Sequence, residues 1–186
     1  DRSPSRGLGD VYKRQQEAEP SFYIYKIVNR DNLVFHGVIG AACAQDYENN
    51  VIKKHENTLE FKEKIFVKYL DTVGFNAEPV LLTYPDNDAL AKIIQNVMNV
   101  RAEYEFTTTY RDTHYLWPVT NSNTISKITE IFSEMETLYI ADGHHRSSSS
   151  YLLAKQRKEQ NSGHTGDEAY NFFMSCLLYT SDAADE

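Results

Sequence analysis

Asp142-Gly143-His144-His145-Arg146 places a carboxylate, a glycine, two imidazoles and a guanidinium next to one another. Leu138, Tyr139 and Ile140 before this run read as a short apolar strand. Tyr151, Leu152 and Leu153 after it supply the buried face of a helix. The run therefore lies where a strand turns into a helix. At such a junction the first backbone N–H groups lack partners and the helix dipole leaves partial positive charge, so an anion is favoured. Gly143 lets a backbone approach that anion closely. Arg146 offers a bidentate fork to phosphate oxygens, His144 and His145 offer further donors, and Ser147 to Ser150 supply hydroxyls on the first turns. Asp142 reads as a plain N-cap, as a group that fixes an imidazole, or as a ligand for a divalent metal. Positive side chains in the first turn oppose the dipole, which makes sense if an anion sits there.

A second polar cluster, Lys53-Lys54-His55-Glu56, precedes Thr58 and a helix. Phosphoryl transfer needs positive groups on the moving phosphate and a base near the acceptor hydroxyl. Glu56 is the candidate base, Lys53 or Lys54 can neutralise phosphate charge, and His55 can donate to phosphate or orient Glu56. The same string also reads as a solvated segment in which Thr58 caps the helix. His36, His114 and Trp117 fit core packing. His164 and Asp167, in the glycine-bearing NSGHTGDE loop, fit either a lid over the phosphate site or an ordinary surface loop.

SFYIYKIV and LVFHGVIGAACA flank the turn cluster NRDN and predict a hairpin, with Gly37 and Gly40 marking a bulge or a close approach. Phe61, Ile65, Phe66, Tyr69 and Leu70 recur at helical spacing and predict an amphipathic helix closed by Gly74. EPVLLTY predicts a buried strand and DALAKIIQNVMNV a helix on Leu90, Ile93, Ile94, Val97 and Met98. AEYEFTTTY and HYLWPV predict a second hairpin around Arg111-Asp112. SNTISKITEIFSEM predicts a helix capped by Ser122 or Asn123, TLYIADG a strand, HHRSSSSYLLAKQRKEQN a helix and YNFFMSC a last strand. The class is α/β, a mixed sheet with non-alternating order.

The chain has 186 residues, 41% of them apolar, enough for about one domain with a real core. A net charge of −8 disfavours binding along nucleic acid, which needs clustered Lys and Arg. No apolar run is long enough to span a bilayer and the front carries no secretory h-region, so a cytoplasmic location is the default. Cys43 and Cys176 read as buried free thiols. Residues 1–15 and 177–186 lack element patterning, read as a non-native or disordered leader and tail, and leave 16–176 as a fragment of a single domain.

ADGHHR, with an aliphatic strand before it and a small-residue helix after it, resembles the hallmark of the uncharacterised family called domain of unknown function 1015. His55, Glu56 and Thr58 match its His-Glu-x-Thr pattern, and EPVLLTY, HYLW (His114 to Trp117) and GHTGDEAYNFF (Gly163 to Phe173) match further segments, so Pro20 to Cys176 is covered. Where the family carries an arginine and later an Asp-Arg pair, this chain has Leu59 to Phe66. The box is also similar to the shorter Gly-x-His-Arg phosphate motif of the ParB and sulfiredoxin superfamily, some members of which are free-serine kinases. That resemblance implies a ParB/sulfiredoxin-like core in which Lys53, Gly143, His144, His145, Arg146 and Ser147 hold the phosphates of ADP, ATP or pyrophosphate. It further implies Mg2+ at Asp142, catalytic roles for His55, Glu56 and Asp142, and a small hydroxyl acceptor such as free serine. The alternative is a ParB-like nucleotide-dependent regulatory protein without turnover. Sulfiredoxin-type repair needs a cysteine where this chain has His144 or His145.

Overall fold

The computed structural model describes residues 20–179. The leader 1–15 and residues 180–186 of the tail lie outside the described residues. β1 (Phe22–Val28) and β2 (Val34–Cys43) form the expected hairpin. Its turn is organised by Asn29, whose side-chain oxygen accepts from the backbone of Asp31 and Leu33, with Asn32 in the left-handed region at φ 63°. The ladder runs regularly through both glycines of β2, so the close-approach reading holds and the bulge does not. A Cβ on Gly40 would sit 2.7 Å from the Phe22 ring.

α1 (Ala44–Glu48), β3 (Ile52–Lys53), α2 (Glu60–Val73) and β4 (Val80–Thr83) follow, then α3 (Asp88–Met98), β5 (Tyr104–Thr107), β6 (Thr113–Val119) and α4 (Ser122–Ser133). The described chain ends with β7 (Leu138–Asp142), α5 (His144–Gln160), a 3-10 turn (Ala169–Asn171) and β8 (Phe172–Tyr179). α3 is capped by the Asn87 side chain accepting from Leu90 N. α4 is capped by Asn121, just ahead of the expected Ser122 or Asn123, through Thr124 N. β8 runs past Cys176 through Leu177 and Leu178, which pair with Val38 and Gly37. A boundary at Cys176 therefore cuts an element. Leu177 is apolar and buried, and the ladder on both sides of it satisfies its backbone.

The strands form a single mixed sheet of eight in the order β3-β7-β4-β8-β2-β1-β6-β5. Register places Trp117, Ile24, Val38, Leu177, Leu82 and Ile140 side by side across six strands. All six are buried, and Leu90 and Ile94 of α3 and Ile128 of α4 join them in the core. Cys176, on the alternate face of β8, is buried outside that cluster. Among the described residues no helix is long and apolar enough to cross a membrane.

α2 departs from its spacing. It packs on α5, yet none of its residues is buried. The half-buried stripe is Glu63, Val67, Leu70 and Val73, whereas Phe61, Ile65, Phe66 and Tyr69 are exposed. The cause is the surface offered by α5, a run of small hydroxyl side chains that donates hydrogen bonds and therefore takes the Glu63 side of α2.

Candidate active site at the start of α5

β7 ends at Asp142 and α5 begins at His144, so Gly143 alone makes the turn, with φ 98° and ψ 29°. Glycine enters this region without the Cβ penalty of other residues. The Arg146 side chain folds back over it, and a Cβ on Gly143 would lie 3.2 Å from Nε. Gly143 is thus the floor under the guanidinium and also part of the cleft wall. Arg146 is further held by Asp142 Oδ2 at 2.5 Å, by the Pro79 carbonyl, and by Glu78 at 3.5 Å. Glu78 and Pro79 open the EPVLLTY segment, read from sequence only as a strand, and the fold brings them to Arg146.

His144 is buried at 4% exposure. Its Nε2 accepts from the His55 backbone N–H at 3.4 Å, which leaves Nδ1 to donate to Glu56 Oε1 at 3.2 Å. The His55 ring meets the His144 ring edge-on, with centroids 4.3 Å apart. Burial lowers the His144 pKa, against the pull of Glu56 in the other direction, so the imidazole stays neutral near pH 7. The two polar clusters of the sequence therefore meet, and the residue that orients Glu56 is His144, with His55 braced against it. Glu56 itself is 60% exposed along its side chain and reaches the cleft.

His145 stacks on Phe66 at an interplanar angle of 12°, and its Nδ1 is buried without a hydrogen-bond partner. It lines a cleft of about 510 Å³ with Glu56, Asp142, Arg146 and the α2 side chains Phe61 and Phe66. An unsatisfied buried nitrogen in such a place has a cost that a ligand can relieve.

Two expected ligand groups are elsewhere. Ser147 is fully buried and its hydroxyl donates to the Gly143 carbonyl at 3.2 Å, one turn back in its own helix, so it has nothing to offer a phosphate. Lys53 pairs with Tyr139 across the sheet edge and its Nζ lies 5.9 Å from that ring, on the face opposite Ile140, and it does not line the cleft. Lys54 points the other way: it lies over Tyr47 and its charge helps to lower the pKa of Glu63. The NSGHTGDE loop closes on itself at the far end of α5, roughly 25 Å from Gly143 at 1.5 Å per residue. There Glu168 accepts from Thr165 and Gly166 and His164 meets Tyr170, so the loop is no lid for this site.

Glu63 was not legible as a site residue. Its Oε1 accepts from Thr58 at 2.5 Å and from Ser148, which ties the His55-Glu56 segment, α2 and α5 into one unit. Those hydrogen bonds, Ser148 first, hold its carboxyl below the usual range. As to a metal, no group of three potential side-chain ligands gathers among the described residues. Mg2+ is commonly held by one or two carboxylates together with substrate phosphates, and Asp142, with Oδ1 outside its pair with Arg146, suits that mode.

No curated protein and no solved structure matches the chain. A family model described as "Protein of unknown function (DUF1015)" matches residues 14–184, a span that takes in the whole site and every described element. The chain belongs to the DUF1015 family.

Proposed function

We propose that this chain is a phosphoryl transferase that binds a phosphate-bearing donor, ADP, ATP or pyrophosphate, at the start of α5 and moves phosphate to a small hydroxyl metabolite such as free serine. The observation that carries this reading is the pairing of buried, neutral His144 with Glu56 beside Arg146 on a glycine-started helix. It supplies a held carboxylate base and an anion-favouring surface in one cleft. Arg146 and the free N–H groups of the first turn face the donor phosphates. Glu56 accepts the proton of the acceptor hydroxyl as that oxygen bonds to phosphorus. The bond from phosphorus to the leaving phosphate oxygen breaks, and Arg146 bears against the charge that develops there. Mg2+, when bound at Asp142, neutralises further phosphate charge. The similarity of the box to the phosphate motif of ParB and sulfiredoxin relatives supports the reading as analogy. Free thiols suit a reducing compartment, so the proposed location is the cytoplasm.

A nucleotide-dependent regulator without turnover is favoured by one feature: the Arg146 fork is already engaged by Asp142 and Glu78. Incubation with serine, Mg2+ and each donor, followed by phosphorus NMR, separates the two. Phosphoserine from one donor, reduced at least about a hundredfold in Glu56→Gln, is expected for a base in this role. Donor binding without product in any mixture supports the regulator, and unchanged binding in Arg146→Ala defeats both.

A further inference from the structure

We propose that the donor is a nucleotide whose base lies on the exposed stripe of α2, and that pyrophosphate is not the preferred donor; this rests on the phosphate-site reading above. The stripe is coded at helical spacing, as a core-facing helix would be, but the core does not receive it. Phe61 is 61% exposed, Ile65 62% and Phe66 36%, and all three line the cleft that also holds Gly143, His145 and Arg146. Large apolar side chains turned outward together mark a binding surface. Here they adjoin the one place where the helix start and Arg146 favour an anion.

The geometry of the wall suits a flat ring. Phe66 lies nearly parallel to His145, with centroids 6.4 Å apart, so an aromatic plane is fixed where the box begins. α2 cannot roll to bury its stripe, because Glu63 is tied to Thr58 and Ser148 on the opposite side. The cleft, about 510 Å³, falls within the roughly 300–1,000 Å³ range of sites that enclose molecules of drug size. Pyrophosphate is far smaller and wholly polar, and it would leave the apolar wall wet. A nucleoside diphosphate or triphosphate matches both halves, phosphates toward Arg146 and base on Phe61 and Phe66. Stacking on aromatic faces tolerates any base, so the wall selects nucleotides as a class.

Calorimetric titration of the full chain with ADP, ATP and pyrophosphate, in wild type and in Phe61→Ser and Ile65→Thr, tests this. Both positions are exposed, so the fold is expected to survive, and circular dichroism checks it. ADP or ATP should bind more tightly than pyrophosphate. The variants should weaken the nucleotide about tenfold and leave pyrophosphate unchanged. Phe61→Trp should change its fluorescence on adding ADP but not on adding pyrophosphate, against a steady background from buried Trp117. Pyrophosphate binding as tight as that of ADP, or variants that weaken both equally, overturns the base wall and leaves the phosphate site standing. Failure of the wild type to bind any of the three removes the phosphate site itself, and this proposal with it.

Discussion

Gly143 is constrained twice, by its left-handed backbone and by the guanidinium packed on it. Gly143→Ala therefore has to strain the turn and push Arg146 away, where either alone would cost on the order of 1 kcal/mol. The expected outcome is a loss of about 1–3 kcal/mol in denaturant unfolding together with weakened donor binding. Loss of stability with full binding would show that the floor under Arg146 is structural only. His144 and Glu63 set a second expectation. Both have a folded pKa below the ordinary value, His144 through burial and Glu63 through the hydroxyls of Ser148 and Thr58. In each case the unfolded chain binds more protons, below about 6.5 for the histidine and below about 4.5 for the glutamate, so stability falls as pH falls through those windows. Thermal melts should hold steady between about pH 7 and pH 8 and decline toward pH 4. Glu63→Gln should flatten the lower part of that decline, and an unchanged acid slope would count against its pairing.

At the scale of elements, α2 is the outlier. It has no buried residue and leans on α5 through a half-buried stripe and the Glu63 contacts. Helices with few buried contacts open locally at little cost. Hydrogen exchange should find α2 less protected than α5, and Glu63→Ala should lower protection across α2 by about tenfold, the worth of a hydrogen bond to a charged group. Uniform protection of the two helices would refute this. Apart from the short α1 and β3, helix and strand positions were legible because caps, glycines and periodicity are local. The direction in which α2 faces was not, because its partner surface on α5 is made of serines that read, in one dimension, as phosphate ligands. Helical geometry limits that reading: successive residues turn through about 100°, so four consecutive hydroxyls cannot share one anion. Ser147 goes to its own backbone and Ser148 to Glu63. His55, Glu56 and the box were legible by residue type. Lys53 was misplaced because residue type does not say which way a side chain leaves the chain: Lys53 goes to Tyr139 and Lys54 to Tyr47, and neither lines the cleft.

For the molecule as a whole, the sheet order decides how it comes apart. β4 and β8, whose registers join Val80 to Ser175, are distant in sequence and adjacent in the sheet, and β8 is hydrogen-bonded on both sides. No local pattern encodes those pairings, which is why strand order was beyond the sequence, while every strand but the two-residue β3 was legible. Cys176 lies in that central strand, buried, with its thiol pKa pushed up to about 12 by desolvation. Cys43, expected to be buried, is instead half-exposed at the end of β2, where the chain leaves the sheet for α1. The two thiols should therefore behave differently toward a disulfide reagent at pH 8, since the thiolate is the reactive form. Cys43 should react promptly. Cys176 should react only when β8 separates from β2 and β4, at a rate that rises with denaturant along the slope of global unfolding. Equal and rapid labelling of both would mean that the central ladder opens without unfolding the rest. Site and sheet would then be separable, although β7, which delivers Asp142 and Gly143, hangs on β8 only through β4.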